Sequence, residues 1–227
     1  MASGSNSAIV DAVLAGVADA RHTYSAWTRN GGYFSWAPEY LITVSVAQAL
    51  WEWCAPMSVW PEFRLSDALR DTNRGSADPF SRNEATRRAD LLLYRGGPAP
   101  HAIVEVKRNV DGWAKIAADV ERLRTTMQMP SSSFELGVVA FSSTLIGGSK
   151  AKGGGIMKDR LARMADCVGD IRLAGWRCRL VANDTQFDGH EHWAAAAVVL
   201  EKTTASRRPV LGERTCAGRA PQVISAS

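Results

Sequence analysis

The sequence has little cysteine, and its four cysteines follow no metal-binding or disulfide spacing. Cys54, Cys167, Cys178 and Cys216 include no Cys-x-x-Cys pair, which argues against a structural zinc site and a disulfide framework. No run of eighteen or more apolar residues occurs, so no transmembrane helix is predicted. The first seven residues, Met-Ala-Ser-Gly-Ser-Asn-Ser, lack the basic region of a signal peptide. We therefore expect a cytoplasmic protein without membrane association.

A strong excess of one charge is also absent. The 227 residues include 27 Lys and Arg and 23 Asp and Glu, for a net charge of +4. Residues 203–227 contain four arginines and one glutamate, so +3 belongs to this stretch and +1 to the remainder. Binding to nucleic acid would therefore depend on local basic patches. With 46% hydrophobic residues, the chain can bury one sizeable core.

Hydrophobic periodicity divides the chain into three segments. Residues 1–36 are predicted to form an N-terminal helix and an aromatic segment, residues 37–202 the main domain, and residues 203–227 a basic, disordered tail. In the main domain we expect helices over 38–51, 113–127 and 156–168, and strands over 57–65, 90–94, 101–107, 135–143, 176–182 and 192–202. The polar stretch 66–89 and the glycine-rich stretch 146–156 are predicted to be loops.

The stretch from Ala89 to Lys107 is the most informative part of the sequence. Two apolar strands are joined by Arg-Gly-Gly-Pro, which is typical of a turn. Glu105 and Lys107 are two residues apart and therefore share one face of the second strand. Asp90 begins the first strand, so an antiparallel hairpin would place it close to Glu105. Two carboxylates suit Mg²⁺, and an ammonium can neutralise developing negative charge. A plain hairpin with a Glu105–Lys107 ion pair is the alternative.

This pattern resembles the PD-(D/E)xK nuclease superfamily. Asp90, fourteen intervening residues and Glu105-Val-Lys107 lie on an apolar hairpin that is followed by a helix, although Arg88-Ala-Asp90 departs from the nominal Pro-Asp. The resemblance covers residues 37–145. It implies a restriction-endonuclease-like α/β fold: a single three-layer α-β-α domain with a mixed central sheet and an αβββαβ core. It also implies a metal-dependent nuclease acting on DNA, in which Asp90 and Glu105 hold Mg²⁺ (or Mn²⁺) and Lys107 assists the attacking water.

Further residues are candidates for the same site. Glu39, at the start of the first core helix, and Glu62, on the first core strand, are equal candidates for a third acid. Phosphate contacts are predicted for four basic residues near the hairpin and in the glycine-rich stretch: Arg87, Arg88, Lys150 and Lys152. In the helix after the hairpin, the apolar stripe predicts an outer polar face that carries Lys115, Asp119, Arg122 and Arg124.

A protein with the same fold can also bind a partner without catalysing a reaction. A non-catalytic module that binds nucleic acid or protein is therefore the alternative function. No sequence-reading module is evident, so a homodimer, or a protein partner that provides specificity, is expected. His190-Glu-His192 has the appearance of a metal motif, but it lacks the spacing of four residues on a helix and a nearby cysteine ligand. It is interpreted as the start of a strand.

Overall fold

A computed structural model describes residues 5–72, 87–129 and 132–203, without the side chains of residues 70–72. A mixed sheet of seven strands forms its centre. Helices cover both faces of the sheet, and each face has its own hydrophobic cluster. The predicted α/β class is confirmed. Apart from Thr203, the predicted tail lies outside the described residues. None of the described helices has the length and apolar character that crossing a membrane requires.

The chain alternates helices and strands. In order, the elements are α1 (Asn6–Trp27), α2 (Glu39–Trp53), β1 (Ser58–Arg64), α3 (Leu65–Thr72), β2 (Arg88–Tyr94), β3 (Pro100–Lys107), α4 (Ala117–Gln128), β4 (Leu136–Ile146), α5 (Lys150–Gly169), β5 (Trp176–Ala182), β6 (Gln186–Phe187) and β7 (Glu191–Lys202). Short 3₁₀ helices at Phe34–Trp36 and Trp113–Lys115 precede α2 and α4. The prediction that His190-Glu-His192 marks the start of a strand is confirmed.

The sheet has the order β1-β2-β3-β4-β7-β5, and β6 pairs with the start of β7. Strands β3 and β4 are parallel and are connected through α4, whereas the other paired strands are antiparallel. Strand β1 lies at the sheet edge. Pro61 has no N–H to donate to a neighbouring strand, and an edge strand tolerates this because it has a neighbour on one side only. Strand β4 is buried over nearly its whole length, as expected for an interior strand covered on both faces.

Alternation along the strands divides the core between the two faces of the sheet. Leu91 and Val104 point towards α1 and α2, while Leu92 and Ile103 point towards α4 and α5. The helices α1 and α2 approach closely at Gly16, where a Cβ atom would lie 2.5 Å from the Cα of Val46. Helix α1 is therefore part of the same core as α2 and the sheet.

Two predicted loops contain helices. Helix α3 occupies the first part of the stretch 66–89, and residues 73–86 of that stretch lie outside the described residues. In the glycine-rich stretch, α5 begins at Lys150 and not at residue 156. The side chain of Ser149 accepts the N–H of Lys152 and so caps the helix. The prediction of a flexible loop was wrong because this cap offsets the low helix propensity of the glycines.

Candidate active site

The hairpin brings Asp90 and Glu105 together. Leu91 in β2 pairs with Val104 in β3, and extending this antiparallel register by one residue places Asp90 opposite Glu105. The Oδ2 atom of Asp90 accepts the N–H of Val106 at 2.7 Å. The carboxylate of Asp90 therefore accepts a hydrogen bond that a backbone carbonyl of β2 would otherwise accept. This bond fixes the Asp90 side chain against β3 at the end of the hairpin.

Glu105 is buried and only half satisfied. It is 3% exposed, and its Oε2 atom accepts a hydrogen bond from Nη2 of Arg122 at 3.0 Å. Its Oε1 atom is buried and has no hydrogen-bond partner among the described residues. Burial raises the pKa of Glu105 to about 7, Arg122 opposes this, and Asp90 and Asp119 add to it. A buried carboxylate with an unused oxygen is costly, and a cation bound there would offset that cost.

The pKa of Asp90 is also raised. Burial is the main cause, the Val106 N–H and Lys107 oppose it, and Glu39 and Glu62 add to it. Both candidates for the third acid therefore act electrostatically on Asp90. Acidic groups concentrated in this way at one end of a sheet favour the binding of a cation.

Lys107 is held between two carboxylates. Its Nζ atom lies 3.7 Å from Oε1 of Glu39 and 3.9 Å from Oδ1 of Asp119. The other oxygen of Glu39 accepts the backbone N–H of Arg108 at 3.1 Å. Glu39 thus contacts Lys107 and the end of β3 from the first turn of α2. Glu105 pairs with Arg122, and the Glu105–Lys107 ion pair of the plain-hairpin alternative is not formed within the described ranges.

Glu62 approaches Asp90 from the opposite side. The neighbours of Glu62 in β1 pair with the neighbours of Asp90 in β2, so these two residues lie opposite each other. The φ angle of Glu62 is 52°, a left-handed conformation that is uncommon outside glycine. Its backbone carbonyl accepts a hydrogen bond from Nη1 of Arg88 at 2.7 Å. The side chain of Glu62 is exposed.

Two residues of the site were assigned incorrectly by the sequence pattern. Asp119 and Arg122 were predicted to lie on the outer face of α4, but Asp119 is 7% exposed and Arg122 bonds to both Asp119 and Glu105. The available signal was spacing. Asp119 lies three residues after Ile116 and four before Leu123, both of which are buried, so it shares their face of the helix. The prediction was correct for Lys115 and Arg124, which lie on the outer side.

The four predicted phosphate contacts do not all lie beside the acids. Arg87 and Arg88 are exposed at the start of β2, and Arg87 lines a cleft of about 290 Å³ together with Arg122. Lys150 and Lys152 are exposed in the first turn of α5. Strand β4 continues five residues beyond the partner of Lys107. These lysines therefore lie at the same end of the sheet as the acids, roughly 16 Å further in the direction of the strands.

Among the described residues, no group of three or more His, Cys, Asp or Glu side chains is arranged to hold a metal ion. Mg²⁺, however, commonly takes only one or two protein carboxylates and fills its other positions with water and phosphate oxygens. No family model, curated protein or solved structure matches the chain.

Proposed function

We propose that this protein is a metal-dependent nuclease that hydrolyses phosphodiester bonds in DNA. One observation carries the proposal: Asp90, Glu105 and Lys107 converge at one end of the β2–β3 hairpin, and Glu105 Oε1 is buried with no hydrogen-bond partner in the described part of the chain. The order α2-β1-β2-β3-α4-β4 supports a restriction-endonuclease-like fold with the αβββαβ core of the PD-(D/E)xK superfamily, into which α3 is inserted. The choice of DNA rests on the resemblance to that superfamily.

The donor set fits a hard divalent cation. Asp90 and Glu105 would hold Mg²⁺ or Mn²⁺ through carboxylate oxygens, which both ions accept. Oε1 of Glu105, which has no hydrogen-bond partner among residues 5–72, 87–129 and 132–203, is the kind of buried atom that such a cation would satisfy. A bound cation would supply a more acidic water and neutralise charge on the phosphate. Glu62, whose carboxylate is exposed opposite Asp90, is our preferred third acid.

Lys107 would act on the reacting atoms. Glu39 and Asp119 hold its ammonium at the end of β3, so it is oriented before substrate binds. In that position it would orient the attacking water and stabilise negative charge on the phosphate. Glu39 would act through Lys107. Arg87 and Arg88 would contact the DNA backbone beside the site, and Lys150 and Lys152 would do so further away at the same end of the sheet.

Cleavage assays test this proposal directly. Purified protein would be incubated with supercoiled plasmid, linear duplex and single-stranded DNA in Mg²⁺, Mn²⁺ or EDTA. We expect cleavage that requires the metal and is lost in Lys107→Ala. Lys115→Ala, a change of an exposed lysine on the outer side of the same region, is the matched control and should cut normally. Cleavage that persists in EDTA or in Lys107→Ala would contradict the proposal.

One observation favours a second candidate, a non-catalytic module that binds nucleic acid or protein. The Arg122 guanidinium already occupies one oxygen of Glu105 and could stand in place of a metal. Such a module would bind DNA equally in EDTA and would be indifferent to Asp90→Ala. A nuclease would bind Mn²⁺ and lose that binding in Asp90→Ala. With either function, a homodimer or a partner protein would provide specificity.

A further inference from the structure

We propose that Arg122 and Asp119 of α4 are positioning residues, which orient Glu105 and Lys107 so that one oxygen of Glu105 stays open to a divalent cation. This inference rests on the proposed function and deepens it. Neither residue belongs to the Asp90, Glu105 and Lys107 pattern. Both come from the helix that follows the hairpin, on the side that packs against the sheet.

Arg122 orients the carboxylate of Glu105. Nη2 of Arg122 bonds to Oε2 at 3.0 Å, while Oε1 has no hydrogen-bond partner among the described residues. Arg122 thereby fixes the orientation of the Glu105 carboxylate and leaves its Oε1 atom for a further partner. Glu105 is almost completely buried, so leaving that oxygen without a hydrogen bond or a cation costs free energy.

Asp119 connects Arg122 to the ammonium of Lys107. Asp119 bonds to Arg122 and also lies 3.9 Å from the Nζ atom of Lys107. Glu39 holds the same ammonium from the other side, at 3.7 Å. A continuous series of opposite charges therefore runs from Glu105 through Arg122, Asp119 and Lys107 to Glu39. Displacing one member would change the orientation of the others.

Helix stability alone does not explain this pair. Helix α4 already carries a second acid–arginine pair with the same spacing, Glu121–Arg124, on its exposed side. The Asp119–Arg122 pair lies on the packed side, where burying charges costs free energy that their attraction often fails to recover. Apolar residues would be at least as stabilising there. A role at the site accounts for charges in this position.

The sign of the effect separates positioning from competition. Partners that orient a metal-binding carboxylate typically contribute 10–100-fold to metal affinity. If Arg122 instead competed with the cation for Glu105, its removal would strengthen metal binding. We therefore expect Arg122→Met to weaken Mn²⁺ binding by about tenfold.

The experiment measures Mn²⁺ binding to the full chain by electron paramagnetic resonance and calorimetry, with circular dichroism as a check of folding. Arg122→Lys should recover part of the lost affinity because it restores a cationic donor. Arg124→Met, the matched change on the exposed side of α4, should bind Mn²⁺ like the wild type. Asp119→Asn should lower kcat with little change in KM, because it acts through Lys107.

Each outcome decides the inference. Unchanged or tighter Mn²⁺ binding in Arg122→Met would overturn the positioning role while leaving the proposed function intact. A wild-type protein that binds no Mn²⁺ would overturn both. If Arg122→Met does not fold, Asp119→Asn decides the matter: wild-type kcat in that variant would refute the inference.

Discussion

At the scale of the residue, Glu105 makes the metal-free protein sensitive to pH. Burial raises its pKa from the ordinary 4.5 to about 7, so between these values the folded state keeps a proton that the unfolded state has released. The free energy of unfolding therefore falls as pH rises from about 4.5 to about 7, and the loss persists above that range. We expect Glu105→Gln in EDTA to be more stable than wild type at pH 8, by about 3 kcal/mol, and similar to it at pH 4.5.

Thermal unfolding at the two pH values checks this prediction. Glu121→Gln is the control, since Glu121 is exposed and its pKa is lowered, chiefly by the hydrogen bond from Arg124. That variant should gain no stability at pH 8. Equal unfolding temperatures for wild type and Glu105→Gln at pH 8 would mean that the buried carboxylate is better solvated than its geometry indicates.

Also at the residue scale, Glu39 and Glu62 should differ in what they affect. Glu39 contacts Lys107 and the N–H of Arg108, whereas Glu62 lies opposite Asp90 with an exposed carboxylate. We expect Glu39→Gln to lower kcat with nearly unchanged Mn²⁺ affinity, and Glu62→Gln to weaken Mn²⁺ binding severalfold. Calorimetry with Mn²⁺ and steady-state cleavage kinetics separate the two effects. The reverse pattern would make Glu39 the third acid.

At the scale of the element, the contact between α1 and α2 depends on a glycine. Replacing a helical glycine with alanine usually stabilises a protein by about 0.5–1 kcal/mol. At Gly16 the added methyl group would lie 2.5 Å from the backbone of Val46, so the two helices would have to separate. We expect Gly16→Ala to destabilise the protein by about 1–3 kcal/mol, as measured by chemical denaturation.

The same change elsewhere provides the matched control. Gly155 lies in α5, and a Cβ atom there would have nothing within 4 Å. Gly155→Ala should therefore be neutral or stabilising. If both alanine variants were stabilising, α1 and α2 would be able to move apart without loss, and the close approach at Gly16 would not contribute to the stability of the core.

The elements around the site differ in how far sequence alone predicts them. Strands β2 and β3 follow from two apolar runs and a turn, and the alternation along β3 correctly places Glu105 and Lys107 on one face. The start of α5 was missed because Ser149 caps a helix whose first turns are rich in glycine. Asp119 and Arg122 were missed because a stripe pattern treats charged residues as solvent-facing. Here the two residues pair with each other, and Arg122 also pairs with Glu105 on the side of the helix that packs against the sheet.

At the scale of the whole molecule, charge is spread unevenly. Of the net charge of +4, +3 belongs to residues 203–227, so the remainder is almost neutral. A nearly neutral body binds DNA through local groups, each of which displaces counterions from the phosphate backbone. Lys150 and Lys152 lie at the start of α5, at the end of the sheet where the site is found. Arg172 and Lys202 lie at the opposite end of the sheet, roughly 30 Å away along the length of that helix.

The salt dependence of DNA binding should therefore depend on position. We expect the double variant Lys150→Gln/Lys152→Gln to reduce the slope of log affinity against log salt by about 2, because each lost phosphate contact accounts for about 0.9. Arg172→Gln/Lys202→Gln removes the same charge from the opposite end of the sheet and should leave the slope nearly unchanged. Fluorescence anisotropy of labelled duplex DNA in EDTA, over a series of salt concentrations, measures both. Equal reductions in the two variants would show that DNA responds only to total charge, and Lys150 and Lys152 would then no longer count as backbone contacts.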